Sequence, residues 1–196
     1  MGNQIAKAVE TLKRGEIIAY PTDTAYGLGA DPSDKKAVSK IFKIKGRMKE
    51  KSLPLIAVNL AMVKKFGFLK GKALGLAKKH WPGPLTLVIK ATPLSKRIFS
   101  IYTLKNGKIA IRVPKSPFSR RISFLLKIPI VSTSANLSER PLCFSKKEIE
   151  KQFKERKFKP DYILNVGRLK KSKPSTIIEI KKGKINILRQ GTIKIR

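Results

Sequence analysis

Near the start of the chain Ile5, Ala6, Val9 and Leu12 recur at helical spacing, predicting a helix over 4–14 with Asn3 placed to cap it and Gly15 to end it. The rhythm then changes. "IIAY", closing at residue 20, is a continuous apolar run and predicts a buried strand over 16–20. Helical spacing returns with Ala37, Val38, Ile41 and Phe42, predicting a helix over 33–44 with Gly46 beyond its end. "LPLIAV" (53–58) reads as a short strand, and helices are expected over 60–66 and 71–79. The second of these stops at "HWPGP", whose prolines cannot continue it. "LTLVIK" (85–90) and "KIAIRV" (108–113) read as strands, 116–127 as a helix, 128–132 as a strand and 145–156 as a helix. "STIIEI" and "INILRQG" predict a closing hairpin around Lys182 and Gly183. Strands alternate with helices and the last two strands follow each other directly. The expected fold is therefore α/β: a single compact domain over 1–196, with one twisted mixed sheet flanked by helices.

Polar residues gather just past the predicted strands. Thr22, Asp23 and Thr24 follow the first, Arg112 and Pro114 close "IAIRVP", and Thr133, Ser134 and Asn136 follow "IPIVS". In open α/β sheets ligands sit in the crevice outside strand ends, so one cleft lined by these loops is expected. The stretch "YPTDTAYGLGA" (20–30) is longer than a plain turn requires and rich in small hydrogen-bonding side chains, as a ligand-holding loop would be. "STSANLS" (132–138) carries four hydroxyls and an asparagine; it suits either a neutral anion site or a cluster of caps and turns before the next helix. "KGR" (45–47), with Lys51 beyond, offers cations around a glycine, although chance alone gives roughly two Lys-x-Arg triplets in so basic a chain. "GLGA" lacks the third glycine of a dinucleotide fingerprint, and no Walker loop occurs.

Composition narrows the chemistry. One histidine (His80) and one cysteine (Cys143) exclude Ser-His-Asp, Cys-His and multi-histidine zinc sites. His80 reads as the end of a helix, Cys143 as a passive small residue and Trp81 as a core plug. The 196 residues carry 45 Lys and Arg against 12 Asp and Glu, a net charge of +33. No acidic residue falls in 51–138, where 17 basic ones lie. Such a block suits phosphates of a nucleotide or an RNA; a lysine-biased composition spread over solvated faces would look the same. No apolar run approaches a membrane span and the start has no signal-peptide core, so a cytoplasmic protein is expected.

Taken together, "YPTDTAYGLGAD", "KIKGRMKEKSLPLI", "WPGPLTLVI", "IAIRVP", "PIVSTSANLS" and "STIIEI…ILRQG" resemble, in order and spacing, the YrdC-like threonylcarbamoyl-AMP synthase family. The resemblance runs from about residue 4 to 192 and is to the short, single-domain form. It implies a nucleotidyltransferase that makes threonylcarbamoyl-AMP and pyrophosphate from L-threonine, bicarbonate and ATP, with Mg2+ brought by the nucleotide. A separate tRNA threonylcarbamoyl-transferase complex would use the product. It also implies site residues: Lys45, Arg47, Ser134 and Asn136 as the catalytic tetrad; Thr22, Arg112, Ser132 and Ser175 toward threonine; Lys51, Thr133 and Arg189 with the tetrad toward ATP. Such chemistry needs alignment and charge neutralisation rather than a protein nucleophile, which fits the scarcity of histidine and cysteine. Relatives continue "SANLSG", whereas this chain has Ser138-Glu139-Arg140, losing a residue that takes positive φ without cost. Two alternatives remain open: a carbamoyl-transferring relative, and an RNA-binding or ribosome-assembly module of the same fold. Weak, sequence-independent tRNA binding by the basic block is compatible with either enzyme reading.

Overall fold

The computed structural model describes residues 2–46 and 52–195. Helix α1 (Gly2–Lys13) leads into strand β1 (Ile18–Pro21), and β2 (Tyr26–Gly29) turns straight back on it, antiparallel, with Ile18 opposite Gly29 and Pro21 opposite Tyr26. The stretch expected to be a long loop is therefore mostly a hairpin; only residues 22–25 turn. Then come α2 (Lys35–Lys45), β3 (Leu55–Ile56), α3 (Leu60–Phe66), α4 (Gly71–His80) and β4 (Leu85–Lys90). They are followed by α5 (Pro93–Ile98), β5 (Lys108–Arg112), α6 (Pro117–Leu126), β6 (Ile130–Val131) and β7 (Thr133–Ser134). The chain closes with α7 (Lys146–Phe153), β8 (Tyr162–Ile163), β9 (Thr176–Lys181) and β10 (Lys184–Arg189).

The mixed α/β class holds, but the single sheet does not. Four strands form one sheet in the order β7-β2-β1-β8, and six form another in the order β10-β9-β4-β5-β3-β6. The division follows from β1. Its two edges are taken by β2 and, in parallel, by β8, so no edge remains for β3, which pairs with β5 and β6 instead. Both sheets mix parallel and antiparallel pairs.

Alternation along short strands feeds two cores. Ala19, Leu55 and Val131 enter the larger core, while their neighbours Ile18, Tyr20, Ile56 and Ile130 enter a second one with Ala8, Val9 and Leu12 of α1 and Ile122 of α6. Successive strand residues point to opposite faces, so a strand buried on both sides reads as an unbroken apolar run. The apolar face of α1 is thereby used against α6 and β1, as its spacing demands. Burying an Ile or Leu side chain stabilises by about 1.5–3 kcal/mol, so these residues hold the two sheets in place.

Local signals set the ends that matter for the site. Asp34 accepts bonds from the backbone N–H groups of Lys36 and Ala37 and starts α2; Gly46, at φ 61°, stops it. Lys45 is thus fixed as the last residue of a helix whose Ala37, Val38, Ile41, Phe42 and Ile44 are buried. Ser145 caps α7, its hydroxyl accepting from the Glu148 N–H, and Glu148 reaches back to the N–H of Phe144, one residue before the cap.

Candidate active site

Lys45 is 4% exposed although it carries a charge. Its Nζ donates to the Ser134 carbonyl at 2.7 Å and the Asn136 carbonyl at 2.9 Å, with Asn136 Oδ1 at 3.3 Å and Ser134 Oγ at 3.4 Å. Three of the four expected tetrad residues therefore meet at one point; Arg47 and Lys51 lie outside the described residues. The loop that follows holds Asn136. Its Nδ2 donates to the carbonyls of Leu137 (2.9 Å) and Arg140 (2.5 Å), and Glu139 takes φ 66° to bring the Arg140 carbonyl round. The left-handed position is kept with a glutamate in place, at a cost of roughly 1–2 kcal/mol.

The second corner is built on Arg112, the last residue of β5 and 6% exposed. Its Nη1 donates to Asp23 Oδ1 at 2.5 Å, while Asp23 Oδ2 accepts from the Lys115 N–H at 3.1 Å. Arg189, at the end of β10, clamps Ser175: Nε and Nη2 donate to its carbonyl at 3.0 and 2.9 Å, and Nη2 reaches Oγ at 2.9 Å. Thr86 Oγ1 lies 2.9 Å from the same Oγ. Burial of the Arg189 head, and then the nearby Arg112 charge, lower the Arg189 pKa. The Arg112 charge is thus near enough to act on Arg189.

Gly27 joins the corners. It sits opposite Ser134 in the β2–β7 pair, and a Cβ there would lie 3.3 Å from Ser132 Oγ, from the Thr133 carbonyl oxygen and from Thr22 Cγ2. The Thr22 methyl, the Ser132 hydroxyl and the Thr133 carbonyl thus share a face that a side chain at 27 would crowd. Thr22 differs from expectation in detail. Its hydroxyl closes the hairpin turn, donating to the Ala25 carbonyl at 2.6 Å and accepting from the Thr24 N–H at 3.1 Å, and its methyl faces Gly27.

Thr86 and Tyr20 were not singled out from sequence, and Asp23 only as one of the polar residues just past the first strand. Asp23 was detectable as the lone acid of its loop; Thr86 and Tyr20 sit inside apolar strands and carry no such signal. Trp81, His80 and Cys143 take the structural places expected of them. Trp81 is buried, with Nε1 donating to the Leu85 carbonyl at 2.6 Å. His80 ends α4. Burial, with Glu148 nearby, pushes the Cys143 thiol up to about 12, so it stays protonated at neutral pH and is no nucleophile. Away from this cleft, a cavity of about 420 Å³ is lined by Lys35, Lys36, Lys40, Lys43, Tyr102 and Phe158, with Lys40 paired to Asp161.

The architecture and these residues define an α/β protein with cations and hydroxyls gathered past its strand ends, a setting for anions and small zwitterions. The chain belongs to the Sua5/YciO/YrdC family, whose model, described as "Telomere recombination", matches residues 10–191. It is 34% identical over 191 residues to the threonylcarbamoyl-AMP synthase of Vibrio campbellii, covering 96% of this chain and 97% of that protein. To the synthase of Psychromonas ingrahamii it is 36% identical over 155 residues, 78% of this chain and 80% of that one. The crystal structure of P. abyssi Sua5 complexed with L-threonine superposes with a TM-score of 0.84 at 30% identity, over 95% of this chain. This chain spans about half of that protein's length, 54%.

Proposed function

We propose that the chain is a threonylcarbamoyl-AMP synthase, acting on L-threonine, bicarbonate and ATP in the cleft just described. The observation that carries the site reading is the meeting of Lys45 with Ser134 and Asn136 beside a face shared with Thr22 and Ser132, next to the Arg112–Asp23 pair.

A zwitterion fits that pair. Its carboxylate would lie against the Arg112 fork and its amino group toward Asp23, with Ser132 and Ser175 as neutral partners. Threonine's nitrogen bonds to the bicarbonate carbon, water leaves, and the resulting carbamate oxygen attacks the α-phosphorus of ATP as pyrophosphate departs. The transfer of an adenylyl group makes the enzyme a nucleotidyltransferase. Lys45, Arg47 and Lys51 would offset charge on the phosphates, with Thr133, Ser134, Asn136 and Arg189 orienting the nucleotide. Fixed donors of this kind contribute because they need not reorganise as charge moves. Among the described residues no three His, Cys, Asp or Glu side chains converge as a metal site. Mg2+ carried in by the nucleotide would be held by the triphosphate oxygens, with the Thr133 and Ser134 hydroxyls as further oxygen donors, and would neutralise phosphate charge.

The product would pass to a tRNA threonylcarbamoyl-transferase complex in the cytoplasm. Among the described residues no helix is long and apolar enough to cross a membrane. The basic block over 51–138 would add weak tRNA binding without sequence preference.

Pyrophosphate release, measured with each substrate omitted in turn, tests the reading. Release should need both threonine and bicarbonate, and serine should serve less well, since one missing methyl is worth about 1–3 kcal/mol. Equal turnover with any amino acid, or none, refutes it.

A further inference from the structure

Tyr20 lies on β1 and is fully buried, its ring among Ile18, Leu12, Ile56, Ile122 and Ile130. A glycine makes room for it. A Cβ on Gly29 would fall 2.8 Å from Tyr20 Cε1 and 3.2 Å from Cδ1, so the ring rests on bare β2 backbone. Gly27, opposite Tyr20 in the β1–β2 register, is the next glycine on that face, and it is the one that admits Ser132 Oγ. The two glycines of "GLG" thus let the tyrosine ring and the Ser132 hydroxyl share one side of β2.

The hydroxyl of this tyrosine is anomalous. Tyr20 Oη is buried and, among the described residues, makes no hydrogen bond. Burial holds the phenol neutral, and Ser132, Arg112 and Asp23 are all near enough to act on its ionisation. Ser132 and Tyr20 nevertheless fall outside hydrogen-bond geometry. An unpaired buried hydroxyl is destabilising, and phenylalanine would fill the same apolar space without that cost. A hydroxyl kept in such a place, beside the residues expected to hold the amino acid, points to use in the occupied site.

We propose that Tyr20 is a positioning residue of the amino-acid subsite: when the ligand seats, its hydroxyl donates to Ser132 Oγ, turning the Ser132 hydrogen toward the ligand carboxylate beside Arg112. This rests on reading the cleft as a threonine site. Tyr20 touches no substrate atom; it acts through Ser132.

The test is Tyr20→Phe in the full chain, followed by thermal unfolding, calorimetric L-threonine titration, and KM and kcat. The melting temperature should stay or rise, while threonine affinity and KM weaken about tenfold, with kcat and ATP binding little changed. Ser132→Ala should give the same loss, and the double variant no more than either alone. Should Tyr20→Phe fail to fold, 3-fluorotyrosine labelling supplies the readout, with Tyr26, Tyr102 and Tyr162 replaced in turn to assign the signals. Threonine, and not ATP alone, should then shift the Tyr20 resonance. Equal threonine affinity in Tyr20→Phe and wild type, additive losses in the double variant, or a resonance unmoved by threonine overturns the proposal while leaving the synthase reading intact. A wild type that does not bind threonine overturns both.

Discussion

Lys45 and Arg112 are both buried cations in the same cleft, 4% and 6% exposed, and they are held in different ways. The ammonium of Lys45 is gripped by backbone carbonyls and an amide oxygen, a set of partial charges. The guanidinium of Arg112 faces a full carboxylate. A compact ammonium distributes three donors over scattered oxygens, whereas a planar fork pairs with one carboxylate edge. The two corners therefore suit different ligands. Oxygens of the 134–136 segment fix the Lys45 ammonium beside the Ser134 hydroxyl, a setting that suits phosphate oxygens. An ion pair presents both signs a few ångströms apart, which favours a zwitterion.

The comparison can be broken in five ways, beginning with the largest effect. Cations on the surface should behave unlike either buried one. If the basic block engages six or more tRNA phosphates, affinity should fall roughly a thousandfold between 50 and 200 mM salt. Pyrophosphate release without tRNA should change far less over that range. Labelled-tRNA titration at several salt concentrations decides it, and a shallow slope leaves the lysines as a feature of composition alone.

Removing one member of the ion pair comes next. Asp23→Ala strands Arg112 and the Lys115 N–H and should destabilise the fold by about 3 kcal/mol, visible in denaturant unfolding, while raising the threonine KM. Unchanged stability would mean that the pair is already well solvated. Lys45→Ala should cut pyrophosphate release on the order of a hundredfold. It should also cost roughly 1–3 kcal/mol, because the Ser134 and Asn136 carbonyls lose their donor. His80→Ala, far from both corners in role, should stay near wild type; a folded but inactive variant would reveal a missing acid or base. A small effect belongs to the loop that steadies Asn136. Glu139→Gly should stabilise the protein by about 1 kcal/mol at unchanged activity, since glycine takes φ 66° freely. A loss of stability there would show that the glutamate side chain contributes something its backbone angle does not explain.

Much of this was legible before any coordinate. Long elements with clear periods, such as α1, α2, β4 and the β9–β10 hairpin, lie within a few residues of where their patterns place them. So do the ends of α2, because Asp34 and Gly46 are local signals. The elements that escaped are short. β7 and β8 have two residues each and α5 six, too few for a period to register. β2 escaped for another reason: "YGLG" is rich in glycine, which ordinarily marks a turn, and here the glycines serve close packing instead.

What the sequence determined by itself is therefore the chemistry available and the order of its carriers. It has one histidine and one cysteine, cations and hydroxyls just past strand ends, and a set of motifs spaced as in one family. What only the tertiary structure decided is who meets whom. Asp23 lies 89 positions from Arg112, and Lys45 the same from Ser134. The first contact exists because β5 of the second sheet ends at the β1–β2 turn, and the second because β7 pairs with β2 and so brings Ser134 to the end of α2. Propensity and spacing act over a few residues, while pairing of strand edges acts across the whole chain, and a binding site is made by the second.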